Sequence, residues 1–135
     1  VYGVETRICR FYNVYGDSQL TDGEYAAVVG IFLDQYKNNK PLTITGDGEQ
    51  RRDFTHVDDI VDGMFLSMSK EFGTYELGSG VNYSINELAN MFGEDYPKEY
   101  IEERVGEARE TLCKKPDLLL VKNNLEDYIK GEINE

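Results

Sequence analysis

Basic residues are scarce in this sequence: 14 Lys and Arg stand against 26 Asp and Glu, a formal net charge of -12 over 135 residues. Nucleic acid and anionic membrane surfaces both select a basic footprint, so neither is expected as the main partner. A small anion is not excluded, because a few placed arginines can hold one locally. Long apolar runs are also missing. Stretches such as AAVVGIFL (26–33) fall well short of the roughly 20 residues that a membrane-spanning helix needs, and no charged-then-apolar leader is present. Cysteine is sparse: Cys9 and Cys113 lie far apart and form no metal-type cluster, which predicts idle thiols in a reducing, cytoplasmic compartment. His56 is the only histidine. With no nucleophile or partner acid in view, it reads as a residue at a helix start rather than a catalyst. No catalytic residue and no metal ligand is expected in this chain.

What is present reads as alternating strands and helices, hence an α/β protein. The length suits one domain with a modest core. The chain opens at Val1, and Val4 to Tyr15 (VETRICRFYNVY) has the composition of a strand that pairs on both sides, so the sequence is expected to begin in the middle of a fold. Thr21 to Glu24 spells a capping box and predicts a helix running to about Lys37, with Ala27, Val28, Ile31 and Phe32 on its apolar stripe. Leu42 to Thr45 predicts a short strand, Gly46-Asp47-Gly48 its turn, and Arg52 to Thr55 an extended segment. A second helix is expected from Val57, with Asp58 and Asp59 in its first turn, where carboxylates favour the positive end of the dipole. Its stripe would be Ile60, Val61, Met64, Phe65 and Met68, and Gly73 would follow its end. Tyr75 to Leu77 predicts a strand. Ser84 to Glu87 is a second capping box, opening a helix with Leu88, Ala89, Met91 and Phe92 that Gly93 stops. Residues 94–124 look less regular, and Leu125 to Ile133 predicts a last amphipathic helix.

The segment GDGEQRRDFTHVDD (46–59) concentrates the chemistry. Two arginines follow a strand and a turn and precede a helix N-terminus. In α/β folds, loops meeting at one end of a sheet are where ligand sites form, and guanidinium suits bidentate contact with phosphate oxygens. The competing reading is pairing with some of the many local carboxylates.

Four motifs in order extend this reading. RFYNVYG (10–16), PLTITGDGEQRRDFTHVDDIVDG (41–63), YELGSG with YSINELA (75–80, 83–89) and ERVGEARET (103–111) closely resemble the extended short-chain dehydrogenase/reductase family. These are the NAD-dependent nucleotide-sugar epimerases and dehydratases, typified by UDP-glucose 4-epimerase. The resemblance covers that family's C-terminal half and runs to about Thr111. It implies the C-terminal substrate-binding part of an NAD(P)-binding Rossmann-type fold, with residues 1–16 the last part of the Rossmann sheet and 17–135 the nucleotide-sugar domain. It further implies that Asn13 contacts the diphosphate of a nucleotide sugar and that main-chain groups of Thr43, Ile44 and Thr45 bracket the base. Arg52 and Arg104 would hold the diphosphate, and Glu107 would reach the ribose hydroxyls. Phe11 and Tyr12 would lie on the nicotinamide side. Arg51 is expected to face solvent or a nearby carboxylate.

The family's chemistry also calls for a glycine-rich dinucleotide loop and a catalytic Tyr-x-x-x-Lys pair ahead of the RFYNVYG strand, and neither occurs here. Tyr36 to Lys40 spells Tyr-x-x-x-Lys but follows that strand and ends a helix. Gly46-Asp47-Gly48 and Gly78-Ser79-Gly80 lack a third glycine and a preceding βαβ context. NAD would therefore be bound mainly by a missing N-terminal half, through which the parent would dimerise. The expected function is the substrate-binding portion of an epimerase that passes through a 4-keto sugar, inactive as this chain. A 4,6-dehydratase relative and a stand-alone nucleotide-sugar binding module are the alternatives. Residues 113–130 lack the Leu-Gly-Trp-x-Pro-like loop of the family, which leaves the last elements open.

Overall fold

The computed structural model describes residues 2–119 and 121–135. In chain order its elements are β1 (Arg7–Phe11), β2 (Asn13–Tyr15), α1 (Val28–Lys37), β3 (Leu42–Thr45), β4 (Arg51–His56) and α2 (Val57–Met68). They continue with β5 (Gly73–Leu77), β6 (Asn82–Ser84), α3 (Ile85–Asn90), β7 (Lys98–Ile101), a 3-10 turn at Pro116–Leu118, and α4 (Leu125–Ile133).

The strand expected over residues 4–15 is two strands, broken at Tyr12. The break has a topological cause. β1 pairs in parallel with β5, Cys9 opposite Tyr75, whereas β2 pairs in parallel with β4, Asn13 opposite Phe54. The chain changes neighbours at Tyr12, and one continuous ladder cannot serve both. β4 is the central strand of a three-stranded sheet, since it also pairs antiparallel with β6. β3 pairs in parallel with β7, Thr43 opposite Glu99.

The capping box at Thr21 to Glu24 does not form. Gly23 sits in the left-handed region at φ 88, and the Ala26 N–H closes a turn on the Gly23 carbonyl instead. Helix α1 starts at Val28 behind Ala27, which caps nothing. Its buried face is Val29, Gly30, Phe32 and Leu33, one residue round from the expected stripe. The second box does form: Ser84 Oγ accepts the Glu87 N–H at 3.0 Å, and Glu87 accepts the Ser84 N–H at 2.8 Å. That bond, with the Arg51 guanidinium, holds the Glu87 carboxyl below its ordinary range.

Helix α2 begins at Val57 as expected, but only part of its stripe is covered. Ile60, Gly63 and Ser67 face the strands, while Met64, Phe65 and Met68 are exposed. Gly63 and Ser67 are small, so α2 approaches β5 closely; a Cβ at Gly63 would lie 2.9 Å from Leu119 Cδ1 and 3.1 Å from Leu77 Cδ2. Ser69, not Gly73, ends the helix, and Gly73 opens β5.

Two apolar clusters result. The larger, around Phe32, Ile44, Phe54, Leu88, Phe92 and Ile129, joins α1, α3 and α4 to the sheets. The smaller, Ile60, Leu77 and Leu119, lies between α2 and β5.

Candidate functional site: an arginine-lined cleft

Successive residues on a strand point to opposite faces, so β4 sends its adjacent arginines apart. Arg51 turns to the surface. Its Nε donates to Asn82 Oδ1 at 2.9 Å, and Nη2 lies 3.1 Å from Glu87 Oε2. Arg52 turns inward and is only 8% exposed. Its Nη1 donates to the Arg51 carbonyl at 2.8 Å and its Nη2 to Glu107 Oε1 at 3.0 Å.

Arg52 lines a cleft of about 230 Å³ together with Asn13, Thr43, Thr45, Arg104 and Glu107. That is on the small side of ligand sites, which run to roughly 300–1,000 Å³. Each wall follows from local structure. Strand β3 alternates, burying Leu42 and Ile44 in the core and turning Thr43 and Thr45 to the cleft. The first turn of α1 supplies apolar Ala27, Val28 and Ile31. Arg104 and Glu107 arrive on residues 102–109, which lie outside any strand or helix between β7 and the bridge that Glu110 makes to Arg51. This strap is tied at its far end by Arg109, whose guanidinium holds Asp47 in two bonds of 2.8 and 3.0 Å. Arg109 and the Glu49 N–H hold the exposed Asp47 carboxyl down at about 2.

Hydrogen bonds pre-position several lining groups. Gln35 grips Thr43 with both ends of its amide: Nε2 donates to Thr43 Oγ1 at 2.8 Å, and Oε1 accepts the Thr43 N–H at 3.0 Å. Gln50 Nε2 donates to the Thr45 carbonyl at 3.0 Å and Oγ1 at 3.2 Å. Thr45 Oγ1 donates to Glu107 Oε2 at 3.4 Å. Arg104 is exposed and forms no ion pair with a described residue. The cleft thus holds one guanidinium neutralised by Glu107 and one with no ion-pair partner among the described residues, an arrangement able to take a multivalent anion.

Of the residues singled out in the sequence, Asn13, Thr43, Thr45, Arg52, Arg104 and Glu107 are brought together. Ile44 is buried beneath the cleft, and only its backbone belongs to the strand that borders it. Phe11 and Tyr12 lie outside it. Phe11 is exposed at the end of β1, and Tyr12 packs near Gly78, its phenol pushed up by burial and by Glu76. Tyr36 is committed to packing, its ring 5.0 Å from that of Tyr96 and 5.6 Å from that of Phe92. His56 caps α2, its Nδ1 accepting the Asp58 N–H at 3.1 Å.

Sequence reasoning missed Gln35 and Gln50, because a lone glutamine carries no motif. It also missed Asp53 and misjudged Asp59. Asp59 does not serve the helix dipole alone: it is buried and accepts N–H groups of Lys122 and Asn123 at 3.2 and 3.1 Å.

The chain matches the NAD dependent epimerase/dehydratase family over residues 1–78. It belongs to that family. A putative UDP-glucose 4-epimerase of Methanocaldococcus jannaschii is 37% identical over 91 residues, covering 67% of this chain and 30% of that protein. UDP-glucuronic acid decarboxylase 1 of Arabidopsis thaliana is 36% identical over 126 residues, covering 91% of this chain and 28% of that one. Among solved structures, a UDP-glucose 4-epimerase of Thermotoga maritima, determined with UDP-glucose, superposes with a TM-score of 0.88 at 31% identity. The match covers 98% of this chain and 46% of that one. The fold is accordingly the α/β, Rossmann-type fold of the extended short-chain dehydrogenases/reductases. The chain spans under a third of these curated relatives' length. None of the described helices is long and apolar enough to cross a membrane.

Proposed function

We propose that the chain is the nucleotide-sugar-binding portion of an NAD-dependent nucleotide-sugar 4-epimerase, which oxidises the sugar to a 4-ketose and reduces it again. Residues 1–16 would be the last part of the Rossmann sheet and 17–135 the substrate domain. The observation that carries the reading is the convergence of Arg52 and Arg104 on a cleft with one apolar wall and one hydroxyl-lined strand. A nucleoside diphosphate has matching parts: a flat base, a diol and a dianionic diphosphate. Arg52 and Arg104 would hold the diphosphate with Asn13 beside it, backbone groups of β3 would border the base, and Glu107 would take the ribose hydroxyls. Positioning the sugar is this chain's contribution to catalysis.

The Ser79 and Gly80 amides donate to Asp53 at 2.9 and 3.0 Å, and the Gly46 amide donates to the Ile101 carbonyl. The Gly78-Ser79-Gly80 turn therefore spends two of its amides on Asp53 rather than on a pyrophosphate. NAD would be held, and the parent would dimerise, through segments outside this chain, with Phe11 and Tyr12 on the nicotinamide side. The two free thiols support a cytoplasmic setting. A second reading, a decarboxylase acting on a UDP-uronic acid, is favoured by coverage, since that relative aligns with 91% of this chain.

Calorimetric titration of UDP and UDP-glucose tests the proposal. Saturable binding is expected, weakened about tenfold or more in Arg52→Ala and in Arg104→Ala, the loss typical of a charge-assisted hydrogen bond. Equal binding by both variants would remove the diphosphate from this cleft.

A further inference from the structure

The Arg52–Glu107 pair is unusual for a candidate anion site, because the guanidinium that would receive the anion is already occupied. Glu107 Oε1 takes Arg52 Nη2 at 3.0 Å, and the side chains are only 10% and 26% exposed. An anion binding Arg52 through Nη2 has to displace or share this carboxylate. Among the described residues, the Glu107 carboxylate has one other partner, the Thr45 hydroxyl at a long 3.4 Å. If Arg52 is taken from it, the partly buried carboxylate loses its counter-charge and needs new donors. Bare phosphate or pyrophosphate brings at most one P–OH donor and places like charge beside it. A ligand carrying hydroxyls next to its phosphates supplies the donors in the same step. The strap leaves room for the exchange: Glu107 follows Gly106, which has φ 81 and open space where a Cβ would stand, and the adjacent Val105 is fully exposed. Its anchor, Arg109 on Asp47, lies outside the exchange.

We propose that Glu107 is a specificity-determining guard. It holds Arg52 when the cleft is empty and releases it only to a ligand that combines phosphate with hydroxyl groups, so that free phosphate and pyrophosphate are rejected. This rests on the nucleotide reading for the identity of the accepted ligand, though not for the rejection of bare anions. Discrimination of this kind comes from a repulsive element as much as from attractive contacts.

The test is titration of pyrophosphate and of UDP into the wild-type chain and into Glu107→Gln and Glu107→Ala. Removing the charge should tighten pyrophosphate binding about tenfold, a modest share of the several kcal/mol that juxtaposed like charges can cost. UDP should bind more weakly, so the preference for UDP over pyrophosphate collapses. Thermal melts of each variant confirm that the fold is retained. Tighter pyrophosphate binding in the variants alongside no UDP binding by the wild type would uphold the guard and sink the nucleotide reading. Pyrophosphate affinity unchanged in both variants, or absent from all three proteins, would overturn the guard.

Discussion

Asp53 lies fully buried beneath the Gly78-Ser79-Gly80 turn. Its Oδ1 accepts from the Ser79 amide at 2.9 Å, the Ser79 hydroxyl at 2.7 Å and Thr55 Oγ1 at 3.3 Å. Its Oδ2 accepts the Gly80 and Cys113 amides, each at 3.0 Å. A carboxylate so saturated has no direct isostere, because the NH₂ of an asparagine would face amide donors. Asp53→Asn should cost about 3 kcal/mol or more, the penalty for leaving buried donors unpaired. Urea unfolding measures it, and a loss under about 1 kcal/mol would contradict this account. At the surface, Asp47 makes a pH-dependent contribution. Its folded pKa of about 2 lies below the ordinary 3.8, so its stabilisation is present above about pH 4 and is lost as pH falls toward 2. Asp47→Asn should therefore melt below wild type at pH 6, with the gap closing near pH 2. A gap that stays constant would assign no linkage to this pair.

At the scale of elements, the two capping boxes make a controlled comparison. The Ser84 box forms and the Thr21 box does not, because Gly23 adopts a left-handed conformation. Ser84→Ala should cost about 1 kcal/mol, whereas Thr21→Ala should stay within about 0.5 kcal/mol of wild type. Equal effects in chemical denaturation would contradict the assignment. What the sequence made legible follows the same division. Periodicity and caps located β3, β4, α2, α3 and α4, because their signals are local. The start of α1 was misplaced, since Thr21-x-x-Glu24 is a motif without the backbone to carry it. β6 and β7 went unseen: NYS and KEYI have little strand character alone and become strands through β4 and β3, distant in sequence. At the site, six of the highlighted side chains line one cleft. The Arg51–Arg52 contrast needed the strand register, and the grip of Gln35 and Gln50 needed the fold.

At the scale of the molecule, apolar surface stands out against the acidic charge. Phe65 is 68% exposed, Met68 67%, Ile8 56% and Phe11 47%. Among the described residues, strand β1 pairs on one side only, with β5. An open strand edge beside exposed apolar groups drives association. The chain should bind a hydrophobic dye and sediment above monomer mass at rising concentration, and Phe65→Ser with Met68→Ser should reduce both. A dye-silent monomer at all concentrations would show that this face needs no cover.

The proposed diphosphate site puts the phosphates on Arg52 rather than on its neighbour Arg51. The most direct measurement is NMR of the arginine side-chain Nε–H groups during titration with UDP. The account predicts that the Arg52 and Arg104 signals shift and saturate together, while Arg51, held by Asn82 and Glu87, stays in place. A shift confined to Arg51, or no saturable shift at Arg52, would contradict it.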